Sequence, residues 1–237
     1  MKKSLIYPAI IAVLIVAVAG VSMAADDTTI TGKITLKGMP PSEVEIDMGA
    51  DAQCKAMHTE TVKTKRYVVG SKGELANVFV YAKEGVTKSY DPPKQPVVLD
   101  QKGCMYQPYI LGIQVGQTFE IDNSDDNSHN VHILPNFNAE KNFGQPIKGT
   151  KSTYKFTKPE IGVKIKCDVH PWMFAFISAV PHPFFAVTGQ NGAFKISSLP
   201  PGDYTIEAWH LKAGTQTQKV RVGAGETKSI DITLEAK

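Results

Sequence analysis

Within seven residues, Cys167-Asp168-Val169-His170-Pro171-Trp172-Met173, the chain carries a thiol, an imidazole and a thioether. A backbone that turns back on itself can aim all three at one point. A soft thiolate and thioether beside imidazole is a donor set that suits copper, in the arrangement of two His, one Cys and a weak axial Met. Such a centre needs a second imidazole from elsewhere, and Ser128-His129-Asn130-Val131-His132 offers two. Structural zinc sites gather four N or S ligands, often on paired C-x-x-C knuckles, and no such pair is present. A binuclear copper centre would need two bridging cysteines in the loop, and this loop has one.

The elements that must position these donors read as strands. Thr28 to Leu36 alternates β-branched with polar residues, Asn77 to Tyr81 reads as a buried strand, and Ile110 to Val115 and Gln117 to Ile121 flank a Gly116 turn. No amphipathic helical run intervenes, so an all-β sandwich or barrel is expected. The polar run Asp122 to Ser128 delivers His129 to the start of a strand. Side chains two apart share a face there, so His129 sides with Val131 while Asn130 and His132 point the other way. One of the two histidines can face the metal, not both. Thr153 to Phe156 and Val163 to Lys166 lead into Cys167, and Phe174 to Val180 follows Met173 as a closing strand.

Beyond Pro181 five more strands alternate with turn sequences such as Gln190-Asn191-Gly192 and Pro200-Pro201-Gly202. The 182–237 stretch is small for an independent sandwich. The strand around Ile30 to Leu36 is available to complete it. The expected division is therefore a leader over 1–24, an N-terminal β segment over 25–61, a metal domain over 62–181 and a smaller β domain over 182–237. The polar stretch from Asp47 to Lys65, which contains Cys54, has no β-periodicity and has room for a short helix.

Met1 to Ala24 has the composition of an export signal: Lys2 and Lys3, an apolar run from Leu5 to Val21, then Ser22-Met23-Ala24 as a small-residue cleavage site. The alternative is an uncleaved anchor, the one way in which this chain would associate with a membrane. Cleavage removes two lysines and no acid, taking the formal charge from +3 to +1. That balance and the lack of a Lys/Arg cluster argue against nucleic-acid binding. Export implies a periplasmic or secreted protein. Of three cysteines one is odd, and Cys167 fills that role, leaving Cys54 and Cys104 to form a disulfide in an oxidising compartment. Closing that loop contributes roughly 4 kcal/mol on the chain-entropy model. The alternative joins Cys54 to His58 with Cys104-Met105 as a second soft-metal site. His58, His182 and His210 read as ordinary surface or structural histidines.

The segment Lys166 to Met173 resembles the ligand loop of cupredoxins, with a C-x-x-H-P-aromatic-M spacing closest to amicyanin and plastocyanin-like members, and Ser128 to His132 resembles their upstream segment. The resemblance implies a Greek-key cupredoxin-like β-sandwich over 62–181 and one copper ion cycling between Cu(I) and Cu(II). It implies His129, Cys167 and His170 as ligands with Met173 axial, and His170, flanked by Pro171 and Trp172, is expected to be the solvent-side edge through which electrons pass. Asn130 occupies the position that ties the upstream loop to the Cys loop. The implied function is shuttling of single electrons between protein redox partners, and not enzymatic turnover. The alternative is a copper-binding, delivery or surface-interaction module. The stretches Gly192 to Ile196 and Leu199 to Tyr204 resemble carboxypeptidase regulatory-like (transthyretin-like) domains, which implies a second, smaller sandwich serving folding and interaction.

Overall fold

A computed structural model describes residues 28–237, so the expected leader over 1–24 lies outside the described residues. Strands are numbered β1 to β17 along the chain. The unit that carries the candidate ligands holds β3 (Val97–Gln101), β4 (Tyr106–Gln107), β5 (Ile110–Gln114), β6 (Phe119–Asn123), β7 (His129–Leu134), β8 (Lys141–Gln145), β9 (Lys151–Tyr154), β10 (Glu160–Lys166) and β11 (Phe174–Val180). They form one sheet ordered β5-β11-β10-β7-β8 and a second ordered β4-β3-β6-β9. Alternation explains the packing: in β6 and β7 every second residue is buried, and Phe119, Ile121, Val131 and Ile133 meet Leu99, Ile165 and Ile177 between the sheets.

The other unit holds β1 (Thr28–Lys37), β2 (Phe79–Glu84), β12 (Phe185–Val187), β13 (Ala193–Leu199), β14 (Gly202–His210), β15 (Gly214–Val222), β16 (Thr227–Ser229) and β17 (Ile232–Glu235). β1 lies between β13 on one side and β16 and β17 on the other, and β2 lies between β12 and β14. Ile30 and Ile34 from β1 and Val80 and Ala82 from β2 share one core with Ile206 and Ile232. Both units are open sandwiches, and no sheet closes into a barrel among the described residues.

The domain boundaries need correction. The stretch 62–181 was expected to form the metal domain, yet β2 within it belongs to the other sandwich. Its run of four buried residues, Phe79 to Ala82, suits a central strand with both faces covered. Nothing local in that run selects which sheet receives it. Between β1 and β2 the chain also makes an excursion onto the metal unit. Ile46 N–H donates to Val62 carbonyl at 2.9 Å and Thr64 N–H to Val44 carbonyl at 2.9 Å. The tip of this hairpin carries the one α-helix among the described residues, α1 (Ala52–Ala56).

The units meet through aromatic rings: Phe79, Tyr81, Phe185 and Trp209 pack against Tyr109, Ile110, Phe174 and Phe176. Gly112 on β5 makes this approach feasible, because a Cβ there would lie 2.5 Å from ring carbons of both Phe79 and Phe185.

Two outcomes follow. A fragment of residues 182–237 should stay unfolded by circular dichroism, since each of its sheets lacks a central strand, and adding residues 28–84 in trans should restore structure. The second concerns His210, 1% exposed, whose Nδ1 accepts from the Lys212 and Ala213 N–H groups. Burial holds this imidazole down at about 4, against an ordinary 6.5. The folded state therefore keeps the ring neutral while the unfolded chain takes up a proton below 6.5. The ring's contribution is complete above that pH and is lost progressively down to about pH 4, by at most about 3 kcal/mol. Thermal melts of His210→Asn should show a flatter acid profile than the natural chain across this window.

Candidate metal centre

β7 begins at His129 because the polar run before it is folded by its own side chains. Asn123 donates to the Asn127 carbonyl at 2.9 Å, and Asp125 N–H donates to Asn123 Oδ1 at 2.9 Å. The phase of β7 then decides which histidine points inward. His129 is 1% exposed, whereas the His132 side chain lies on the outer face with Nε2 on Glu140 at 2.6 Å and Nδ1 on Asp168 at 3.1 Å.

The loop from β10 to β11 closes on itself. Cys167 N–H donates to the Met173 carbonyl at 3.0 Å, and Met173 N–H donates to the His170 carbonyl at 2.9 Å. Cys167, His170 and Met173 are thereby held on one tight turn, all buried, with Cys167 left as a free thiol. Asn130 joins this turn to β7: its Oδ1 accepts from Asp168 N–H at 2.7 Å and from the Cys167 thiol at 3.3 Å. Asp168 is held well below the usual carboxylate range by Lys166 and by the amides of Asn142 and Asn130.

Three of the four expected ligands converge. Nδ1 of His129 and Nδ1 of His170 are 3.0 Å apart, Cys167 Sγ is 3.8 Å from His170 Nδ1, and the three donor atoms lie within 4.8 Å of one another. The rings meet edge-on, with centroids 4.8 Å apart. Met173 is fully buried in the same hydrophobic cluster as Cys167.

The outer ring nitrogens explain how the inner ones come to be available. His129 Nε2 donates to Asp125 at 3.0 Å and His170 Nε2 donates to Asp51 at 3.1 Å. A carboxylate accepts only, so each places the imidazole proton on Nε2 and leaves the Nδ1 lone pair for a metal. Two lone pairs facing each other at 3.0 Å with a thiol beside them fit a shared cation. Burial lowers the proton affinity of His129, and Asp125 opposes that shift. Asp51 is lowered to about 2, chiefly by the Cys54 N–H and next by His170.

Cys54 and Cys104 form a disulfide, which contributes no thiolate to a second soft-metal centre. The bond lies against the first centre: Cys54 Sγ is 3.6 Å from His170 Nε2. Asn127, 5% exposed, aims its amide at both sulfurs, at 3.2 and 3.5 Å. His58 Nε2 donates to the Gly103 carbonyl at 2.7 Å, a structural role in the same loop.

The expectation that His170 forms a solvent-side edge is overturned. The residue is 2% exposed, because α1 and the disulfide cover the face that Pro171 and Trp172 alone would leave open. Sequence reasoning missed Asp51, Asp125 and Asn127. Asp51 carried a usable local signal, since an Asp three residues before Cys54 reads as a helix N-cap, and its side chain does accept from Cys54 N–H at 2.9 Å.

Comparisons with known proteins each cover part of the chain. Residues 174–235 match the Carboxypeptidase regulatory-like domain family, starting in β11, the last strand of the unit with the candidate ligands. Among solved structures the chain is similar to the Cu-containing nitrite reductase of Thermus scotoductus SA-01, at 25% identity and a TM-score of 0.32 over 41% of this chain. It spans about a quarter of that reductase's own length (25%). It is also similar to a Cu(I) amicyanin variant, at 23% identity and a TM-score of 0.32 over 36% of this chain and 82% of that one. A purple cupredoxin from Nitrosopumilus maritimus matches at 21% identity and a TM-score of 0.30, over 35% of this chain and 98% of that one. The comparison with curated proteins gives no match.

Asn130→Ala removes the acceptor shared by the Cys167 thiol and the Asp168 N–H. The variant also loses the Nδ2 bonds to Asn142 and Asp168, and it should lose about 2 kcal/mol of stability in denaturant titrations.

Proposed function

We propose that the chain is an exported mononuclear copper protein that carries single electrons between protein redox partners. The observation that supports this most is the meeting of His129 Nδ1, His170 Nδ1 and Cys167 Sγ, with both imidazole protons drawn to the far side of their rings. Met173, buried on the same turn, would be a weak fourth donor. Copper bound there would supply a one-electron couple between Cu(II) and Cu(I).

The protein's part is to keep its donors still. The turn closed by Cys167 and Met173, the Asn130 tie and the two carboxylates each restrain a ligand that would otherwise rearrange when the charge of the ion changes. With four donors buried, little room is left for a substrate at the metal, which supports a carrier over an enzyme. Trp172 is the ring next to His170 on the way to solvent, with centroids 5.1 Å apart, half-buried, and its Nε1 donates to the Cys104 carbonyl at 3.1 Å. It replaces His170 as the proposed edge through which electrons pass. Export is supported by the leader sequence and by a disulfide suited to an oxidising compartment. Among the described residues no helix is long and apolar enough to cross a membrane.

Copper storage or delivery is the rival reading. The covered ligands disfavour it, since an ion handed to another protein needs an open approach. The purified chain loaded with Cu(II) should show an intense visible thiolate-to-copper absorption and a reversible one-electron wave, and Cys167→Ser should lose the absorption. Tight binding without a reversible wave would favour storage. Absence of the band in the natural chain would overturn the copper reading.

A further inference from the structure

Each cysteine of the disulfide sends its backbone N–H to a carboxylate, and each of those carboxylates also holds the outer nitrogen of one candidate ligand. On one side Cys54 N–H donates to Asp51 Oδ1 at 2.9 Å, and Asp51 Oδ2 accepts from His170 at 3.1 Å. On the other, Cys104 N–H donates to Asp125 Oδ2 at 2.7 Å, and the same oxygen accepts from His129 at 3.0 Å. Gly103 N–H adds a third contact, to Asp125 Oδ1 at 2.7 Å. Asn127 spans the two halves, reaching both sulfurs and, at 3.4 and 3.5 Å, the Asp51 carboxylate. Two separate stretches of chain, the N-cap of α1 and the polar run before β7, thus present one carboxylate each to the two imidazoles, and the disulfide fixes α1 to the loop after β3, whose Gly103 and Cys104 N–H groups hold Asp125.

We infer that Asp51 and Asp125 are positioning residues of the metal centre, strapped in place by the Cys54–Cys104 disulfide, and that they bias the centre toward the oxidised ion. A carboxylate on the outer N–H raises the basicity of a ligating imidazole. Two anions at this range, Asp125 being 5% exposed, favour the more highly charged state of an ion on the inner nitrogens. Neither residue touches the ion; both act through a histidine. The inference rests on the copper reading, and its test separates the two.

The copper-loaded full-length chain and its Asp51→Asn and Asp125→Asn variants are compared by voltammetry and visible absorption. Asn keeps the size of Asp and one oxygen for the Cys54 or Cys104 N–H, and its NH2 replaces the second acceptor, so the variants remove the charge and one accepted hydrogen bond while conserving shape. Both variants should keep the thiolate-to-copper band and shift their potentials upward. Each shift should correspond to at least a tenfold loss of preference for Cu(II) over Cu(I), which is 59 mV for one electron. A Cys54→Ser/Cys104→Ser variant, which frees the strap, should shift in the same direction. A merely structural role would lower the melting temperature and leave the potential where it was. Unchanged or lowered potentials in both Asn variants overturn the inference while the copper reading stands. Should the Asn variants fail to fold, the disulfide-free chain decides alone, and an unchanged potential there overturns it. A natural chain without the band sinks the copper reading instead.

Discussion

A buried imidazole that keeps one nitrogen free must still satisfy the N–H on the other, and the structure around His129 and His170 is arranged by that requirement. An unpaired N–H in a dry interior costs roughly 1–3 kcal/mol, and two such rings face each other here. The sandwich that carries the ligands does not supply both partners from its own strands. Asp125 comes from the polar run before β7, but Asp51 comes from the hairpin between β1 and β2, which starts and ends in the other unit. His170 is therefore covered rather than left at the surface. Its partner is a carboxylate with its own backbone donor in place of bulk water.

The same requirement accounts for the position of the disulfide. A short hairpin tip with a five-residue helix has too few apolar contacts to stay on a neighbouring sheet by burial alone. Cross-linking Cys54 to Cys104 fixes that tip beside the loop that leads to β4, and Met48, Ile46 and Val62 pack into the metal unit's core around it. Asn127, with its amide on both sulfurs, fills the remaining space with a polar group that has partners.

Much of this was legible in the sequence, for local reasons. Period-two alternation located β1, β6 and β7, and the phase of β7 separated His129 from His132 without any knowledge of the sheet. The spacing from Cys167 to Met173 required a turn that closes, and the backbone bonds of that turn are observed. What stayed illegible depends on pairing across long separations. Asn77 to Tyr81 reads as a buried strand, but a largely apolar run carries no mark of which sandwich it enters. Pro171 and Trp172 suggested an exposed His170 because exposure there is decided by residues 51–54, more than a hundred positions earlier. The Asp47 to Lys65 stretch has no periodicity to read, since its structure is imposed by a cross-link and a hairpin rather than by a buried face.

The threading of the chain couples the two units more tightly than their aromatic interface alone. β1 enters the second unit, the hairpin crosses to cover His170, β2 returns, and only then does the chain build the sandwich that carries the candidate ligands. The segment closed by the Cys54–Cys104 bond, 50 residues in sequence separation, contains β2, a central strand of the other unit. Lifting the cover from His170 thus requires breaking the disulfide, or tearing the hairpin from a segment anchored at both ends in a second hydrophobic core. Either route costs several kcal/mol, whereas a surface loop over a metal opens for far less. The second unit, whatever else it contacts, serves as the anchor of that cover.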